Sequence, residues 1–262
     1  MIRRLSPAAA MAAAAGLAAC QTAPAANGGF LSDYSRLQTR SDTVRASIRE
    51  HRDEPTAAAI DRVWLEPAVL IGDAAAGLTE AEGRMVLREV DRQVCYEMSE
   101  RFTLSSTPEG VARVRTGVID IRPTGAAGSG VAAVANALIP GPGTVRVPGT
   151  TGGLAAEAEL LADGRQVAAL AWARNATVVG TDPPSLSRVG DALQLAEPFG
   201  DAVGDAFAPA DREVREIPDP DPCARFGPRT QPAGFVTRLV TGLYVPEVNT
   251  GSREEAPPPP AD

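Results

Sequence analysis

Hydrophobic and polar positions along this 262-residue chain alternate between two periods. Leu78, Ala81, Met85, Val86, Val90, Val94 and Met98 recur at helical spacing, with Arg84, Arg88, Glu89, Arg92 and Glu100 on the complementary, wet side. Thr79 stands at the N-cap, and Glu80 and Glu82 complement the positive end of a helix that runs to about Arg101. A second helical pattern runs from about Ser185 to Phe207 through Leu186, Val189, Leu193, Ala196, Phe199 and Val203, and Pro198 predicts a kink or break in it. Strand-like patterns fill the rest. Arg62–Leu70 reads as a strand whose Pro67 implies an edge position or a bulge. Phe102–Ser105 and Val111–Ile121 predict a hairpin around Ser106–Gly110, with a bulge at Gly117 where the alternation changes phase. Leu154–Leu161 and Gln166–Val178 meet at Asp163-Gly164, a strong hairpin signal. In the first of that pair Ala156, Ala158 and Leu160 make a dry face, and Glu157 and Glu159 a wet one.

The order strand, helix, two strands, insertion, two strands, helix predicts an α+β fold: a mixed, mainly antiparallel sheet with two helices packed on one face. Three stretches lack periodicity. Residues 38–56 are polar and charged, which places the lone histidine, His51, on a solvated stretch. Residues 123–153 read as an irregular insertion in which a short apolar piece, Val131–Ile139, precedes Pro140-Gly141-Pro142-Gly143. Beyond Ala208 the chain becomes a Pro-rich extension, with Pro218, Pro220, Pro222 and finally Pro257–Pro260 favouring extended backbone. Within it Phe235, Leu239, Val240, Leu243 and Tyr244 suit one short amphipathic segment.

The N-terminus supplies an address. Arg3 and Arg4, the apolar run Ala8–Gly16 and then Leu17-Ala18-Ala19-Cys20 have the order of a lipoprotein signal peptide, with Cys20 as the acylated residue. The apolar run is too short to span a bilayer. This predicts a signal peptide over 1–19, a flexible tether over 20–29, a domain over 30–208 and the extension over 209–262. Residue Gln21 after the lipidated cysteine, in place of Asp, implies sorting to the outer membrane, on its periplasmic face. Phe30 and Tyr34, just past the tether, suit a hydrophobic anchor that ties it to the domain.

Composition then narrows the chemistry. The 25 cations are all arginine, there is one histidine, and there are three cysteines. Without lysine, Schiff-base chemistry and P-loop phosphate binding are excluded. The cysteines are too scattered for a His/Cys zinc site, so no metal is expected. The net charge of −8 disfavours nucleic acid and anionic headgroups, so the expected membrane attachment rests on lipid at Cys20. An oxidising compartment would let Cys95 and Cys223 pair, and two unrelated thiols fit the sequence equally well. The loop Thr124-Gly125-Ala126-Ala127-Gly128-Ser129-Gly130 imitates a dinucleotide loop but lacks a packed helix behind it, so no cofactor is expected. No Gly-x-Ser-x-Gly elbow accompanies His51. Glu157 and Glu159, about 7 Å apart on one strand face, have a spacing that glycoside chemistry could use.

The chain resembles the Gram-negative lipoprotein family known as domain of unknown function 3313. The resemblance rests on Gly29-Phe30-Leu31-Ser32-Asp33-Tyr34-Ser35-Arg36-Leu37, Leu65-Glu66-Pro67, Leu78-Thr79, the Gly-rich loop, Ala156-Glu157-Ala158-Glu159 and Gly190-Asp191, and covers roughly residues 28–208. It implies no catalytic or ligand residues. The expectation is therefore a lipid-anchored outer-membrane lipoprotein with a non-catalytic module. That module binds an envelope protein or cell-wall material through the 123–153 loop, and deleting residues 126–150 should leave the fold intact. The alternative is a lipid-anchored glycan hydrolase that works with acidic residues.

Overall fold

The computed structural model describes residues 27–226 apart from 42, 44, 126–143, 147, 148 and 181. Cys20, most of the 123–153 insertion and the segment around Phe235–Tyr244 lie outside the described residues. The elements in chain order are β1 (Gln38–Thr39), β2 (Ala46–Arg52), α1 (Glu54–Ala58), β3 (Arg62–Leu65), β4 (Val69–Leu70) and α2 (Glu80–Arg101). Then follow β5 (Thr103–Leu104), β6 (Ala112–Arg122), β7 (Thr144–Val145), β8 (Gly153–Ala162), β9 (Arg165–Asn175), β10 (Val179–Gly180) and α3 (Gly190–Phe207). A 3-10 turn at Ala224–Phe226 closes the described chain.

Eight strands form one sheet in the order β1-β2-β9-β8-β6-β3-β5, with β4 beside β6. The pairs from β1 to β6 are antiparallel, and β3, β4 and β5 join in parallel. Strands β7 and β10 make a separate antiparallel pair. The fold is α+β, with a mixed and mostly antiparallel sheet. Its centre is the β8–β9 hairpin, where Asp163 (φ 50°) and Gly164 (φ 74°) take the left-handed conformations that a two-residue turn demands.

Helix α3 lies across β8, β9 and β2, and α2 packs beside it. Between the helices and the sheet are Ala156, Ala158, Leu160, Leu170 and Trp172 below and Val86, Val90, Met98, Phe199, Val203 and Phe207 above. Trp172 meets Phe199 edge-on, with ring centroids 5.6 Å apart. Burying side chains of this size stabilises the fold by about 1.5–3 kcal/mol each. That accounts for α3 running through Pro198 without the expected break. Leu195, Phe199, Val203 and Phe207 are all buried, and together they outweigh the roughly 3 kcal/mol that an internal proline costs.

Several expectations are corrected. The segment over 38–56 contains β1, β2 and α1 in place of a solvated stretch; Ile48 is the one large apolar residue of β2 in the core, too little to make a pattern. The hairpin over 102–121 does not form, because β3 lies between β5 and β6 and pairs in parallel with both. The bulge falls between Val118 and Asp120, and Gly117 pairs in register with Glu157. Pro67 splits the expected strand into β3 and β4. Helix α3 begins at Gly190, since Ser185 and Ser187 hydroxyls accept the amides of Ser187 and Val189 and compete with helix for residues 185–189. On α2, Glu89 and Arg92 are buried as an ion pair and not wet, because α3 approaches there so closely that a Cβ on Gly200 would stand 3.0 Å from Gln93.

Candidate functional site

The sheet's second face, opposite the helices, carries the most unusual chemistry of the described residues. Cross-strand register sets its side chains in rows: Arg115, Glu159, Ala169 and His51 form one, and Gly117, Glu157, Ala171 and Arg49 the next. Alanine and glycine leave these rows low. Residues 28–37, which precede β1, run across them as a strap.

The strap is gripped by two carboxylates. Glu157 accepts hydrogen bonds from the Gly28 amide (2.8 Å), the Phe30 amide (3.3 Å) and the Tyr34 hydroxyl (2.6 Å). Glu159 accepts from the amide and hydroxyl of Ser32 (2.9 and 2.8 Å), from Gln166 Nε2 (2.9 Å) and from Arg115 (2.6 Å). Both glutamates are 0% exposed. The expectation of a wet strand face is therefore overturned: alternation reports which side a residue faces, not what covers that side. A buried carboxylate is tolerated only when its oxygens are hydrogen-bonded, and here backbone amides from about 130 residues upstream supply the bonds.

Shape reinforces the grip. A Cβ on Gly117 would fall 2.7 Å from the Phe30 ring, and one on Gly28 would fall 2.3 Å from Ile119. The Arg115 guanidinium stacks over Phe30, 4.9 Å from the ring centroid, while it holds Glu159. Leu31 is buried, its amide donates to the Tyr34 oxygen (3.1 Å), and Arg36 donates to the Gln166 carbonyl (2.9 Å). The anchor expected at Phe30 and Tyr34 is thus apolar at Phe30 and Leu31 and polar at Tyr34. Burial, and then the Glu157 carboxylate, push the Tyr34 hydroxyl above its ordinary range and keep it protonated as a donor.

His51 ends one row. Its Nε2 is buried without a hydrogen-bond partner among the described residues. Burial first, and the nearby Arg36 charge second, lower its pKa and hold it neutral.

Two other polar centres are structural. Cys95 and Cys223 form a disulfide, with Cα atoms 5.8 Å apart. It fixes residues 209–226 as a C-terminal arm against α2, where Tyr96, Leu65, Leu104, Ile217 and Phe226 pack around it. At the base of the insertion Arg146 and Asp191 make a bidentate ion pair (2.6 and 2.9 Å) with both side chains 0% exposed. Asp191 also accepts the Gly152 amide (2.6 Å), and its own amide donates to Thr124 Oγ1 (3.1 Å). Deleting residues 126–150 would remove Arg146 and strand Asp191, so that deletion would not leave the fold intact. Among the described residues no group of His, Cys, Asp and Glu has the geometry to hold a metal ion.

A sheet strapped on one face and helix-covered on the other makes a small α+β body. The chain belongs to the family described as "Protein of unknown function (DUF3313)", whose model matches residues 26–203. The match takes in the strap and stops short of the C-terminal arm. No curated protein matches the chain. Solved structures similar to the chain include two of PelC. A single-residue variant of the PelC dodecamer from Paraburkholderia phytofirmans is 10% identical, over 61% of this chain and 97% of that one, with a TM-score of 0.36. The PelC dodecamer from the same organism is 12% identical, over 62% and 98%, with a TM-score of 0.37.

Proposed function

We propose that this protein is a lipid-anchored outer-membrane lipoprotein whose periplasmic body is a non-catalytic module that binds an envelope protein or cell-wall material. The observation that carries the reading is the spacing between lipobox and strap. The first hydrogen bond from the strap to the domain is at Gly28, eight residues beyond Cys20. An extended chain spans about 3.4 Å per residue, so lipid on Cys20 would hold the body within roughly 27 Å of the bilayer. The Cys95–Cys223 disulfide suits an oxidising compartment.

Metabolic labelling with radioactive palmitate, followed by envelope fractionation, tests the anchor. Wild-type chain takes up label and sediments with outer membrane; Cys20→Ser does neither. Label retained by Cys20→Ser would overturn the assignment. For the partner, the lipidated chain is cross-linked in the envelope beside a deletion of residues 126–143, which spares Arg146. Loss of the cross-linked species on deletion supports the loop as the contact, and an unchanged species refutes it.

The non-catalytic reading rests on the burial of Glu157 and Glu159, which leaves neither carboxylate open to a glycan. A raised carboxyl exists elsewhere: partial desolvation at an exposed position and the neighbouring Glu97 and Glu197 push Asp201 up to about 6. Release of reducing ends from peptidoglycan that Asp201→Asn abolishes would favour the glycan hydrolase instead.

A further inference from the structure

We propose that the cradle formed by Glu157, Glu159 and Gly117 is a peptide-binding groove that accepts the strap of a second copy of this chain in place of its own, so that two chains exchange straps. Three observations point there, independently of any lipid on Cys20.

The grip is local and repeatable. It consists of hydrogen bonds from Gly28, Phe30, Ser32 and Tyr34 to two carboxylates, together with the Phe30 seat over Gly117 and Arg115. Every one of these contacts re-forms identically when the strap comes from another chain. Exchange of an identical element is for that reason a low-cost route to a closed dimer.

The strap is also a detachable unit. With β1 it is joined along the chain to the domain through residues 40–45; β1 itself contributes two paired residues, Gln38 and Thr39, and the Arg40 amide adds one bond to the Ile48 carbonyl (3.0 Å).

Finally, the groove selects its occupant and resists being empty. Loss of the strap removes all three donors described on Glu157, and of the two glutamates Arg115 and Gln166 hold Glu159 and not Glu157. A replacement must lack a Cβ at the Gly28 position, where Ile119 stands 2.3 Å away. It must also carry an aromatic ring two residues on and a phenol four residues beyond that. The strap of a second copy meets all three requirements.

A tethered segment competes at an effective concentration of about millimolar. Dilute chains therefore close on themselves, and exchange sets in at about millimolar concentration or where copies crowd on one surface.

The test uses the full chain from residue 21 and a fluorescein-labelled peptide of residues 27–37. The double variant Phe30→Ala, Tyr34→Phe loosens the resident strap and leaves the groove intact. It should bind the peptide at least tenfold more tightly than wild type, and adding Glu157→Gln should reverse that gain. Gly28→Val, which loosens the strap by another route, should reproduce it. Sedimentation of wild type mixed with the double variant at about millimolar concentration should show a dimer. Absence of peptide binding by either loosened variant with wild-type circular dichroism overturns the proposal. So does binding indifferent to Glu157→Gln, or a mixture that stays monomeric.

Discussion

The strap over residues 28–37 and the arm over residues 209–226 each lash a segment flanking the sheet and helices to the domain, and they use different chemistry to do it. The strap lies on the open face of the sheet and is held by hydrogen bonds to two buried carboxylates. The arm lies against α2 and is held by a disulfide, by the Arg215 amide on the Glu100 carbonyl (2.9 Å) and by Arg212. That arginine donates to the Ile60 carbonyl (2.7 Å) and stacks 4.5 Å from the Phe102 ring centroid. One fastening can leave and re-form in water, and the other opens only by chemistry. The strap is suited to exchange and the arm to permanence.

The largest expected effect breaks the arm. A cross-link spanning 128 residues restricts the unfolded chain by about 5 kcal/mol in the loop-entropy model. Cys223→Ser should lower the stability measured by urea unfolding by about that amount, while the amides of Gly28, Phe30 and Ser32 keep their protection in hydrogen exchange. Loss of protection in both places would mean the two fastenings are coupled. Next, Glu157→Ala should destabilise the protein by about 3 kcal/mol, since hydrogen bonds to a charged acceptor contribute about 1.5–3 kcal/mol. Here the strap amides should lose protection and Arg215 should keep it.

A smaller effect has the opposite sign. Asp91 on α2 accepts the Ala68 amide (2.8 Å) and feels the charge of Arg225 from the arm. Burial dominates and raises its pKa from 3.8 to about 6. The folded chain then binds this proton more tightly than the unfolded chain does. The resulting stability is fully present below the unfolded pKa and is lost as pH rises through about 6. Asp91→Asn keeps an acceptor for Ala68, so it should add about 2 kcal/mol at pH 7.5, add little at pH 3.5 and flatten the profile between. Smallest of all, Tyr34→Phe removes two strap bonds, the one donated to Glu157 and the one accepted from the Leu31 amide, and should cost about 1.5 kcal/mol, with faster exchange confined to the strap.

Legibility followed the range of the interactions. Thr79 and Glu82 sit three residues apart, and the helix start they define includes a full capping box, with the Glu82 amide donating to Thr79 Oγ1 and Glu82 accepting the Thr79 amide. Asp163-Gly164 fixes its turn through its own backbone. By contrast, β5 has only two residues, and nothing within Thr103-Leu104 says that β3 rather than β6 is its neighbour. Strand β2 sends a single large aliphatic side chain, Ile48, into the core, so its alternation is invisible against Arg49, Glu50 and His51. The cradle was half legible. The Ala-Glu-Ala-Glu pattern placed both glutamates on the face away from the helices, but the segment that covers them is more than 120 residues away in sequence. A signal did exist in Gly117, a glycine in the middle of a strand, which marks close approach of other atoms as often as a bulge.

The Cys95–Cys223 bond has a topological consequence. Residues 95–223 form a covalent ring that contains β6, β8, β9 and α3, and the 126–143 insertion lies on that ring. A protease that cuts the insertion therefore yields a nicked molecule still joined as one piece. It should migrate as two fragments only after reduction, and the nick would create a new pair of chain ends without releasing any part of the sheet.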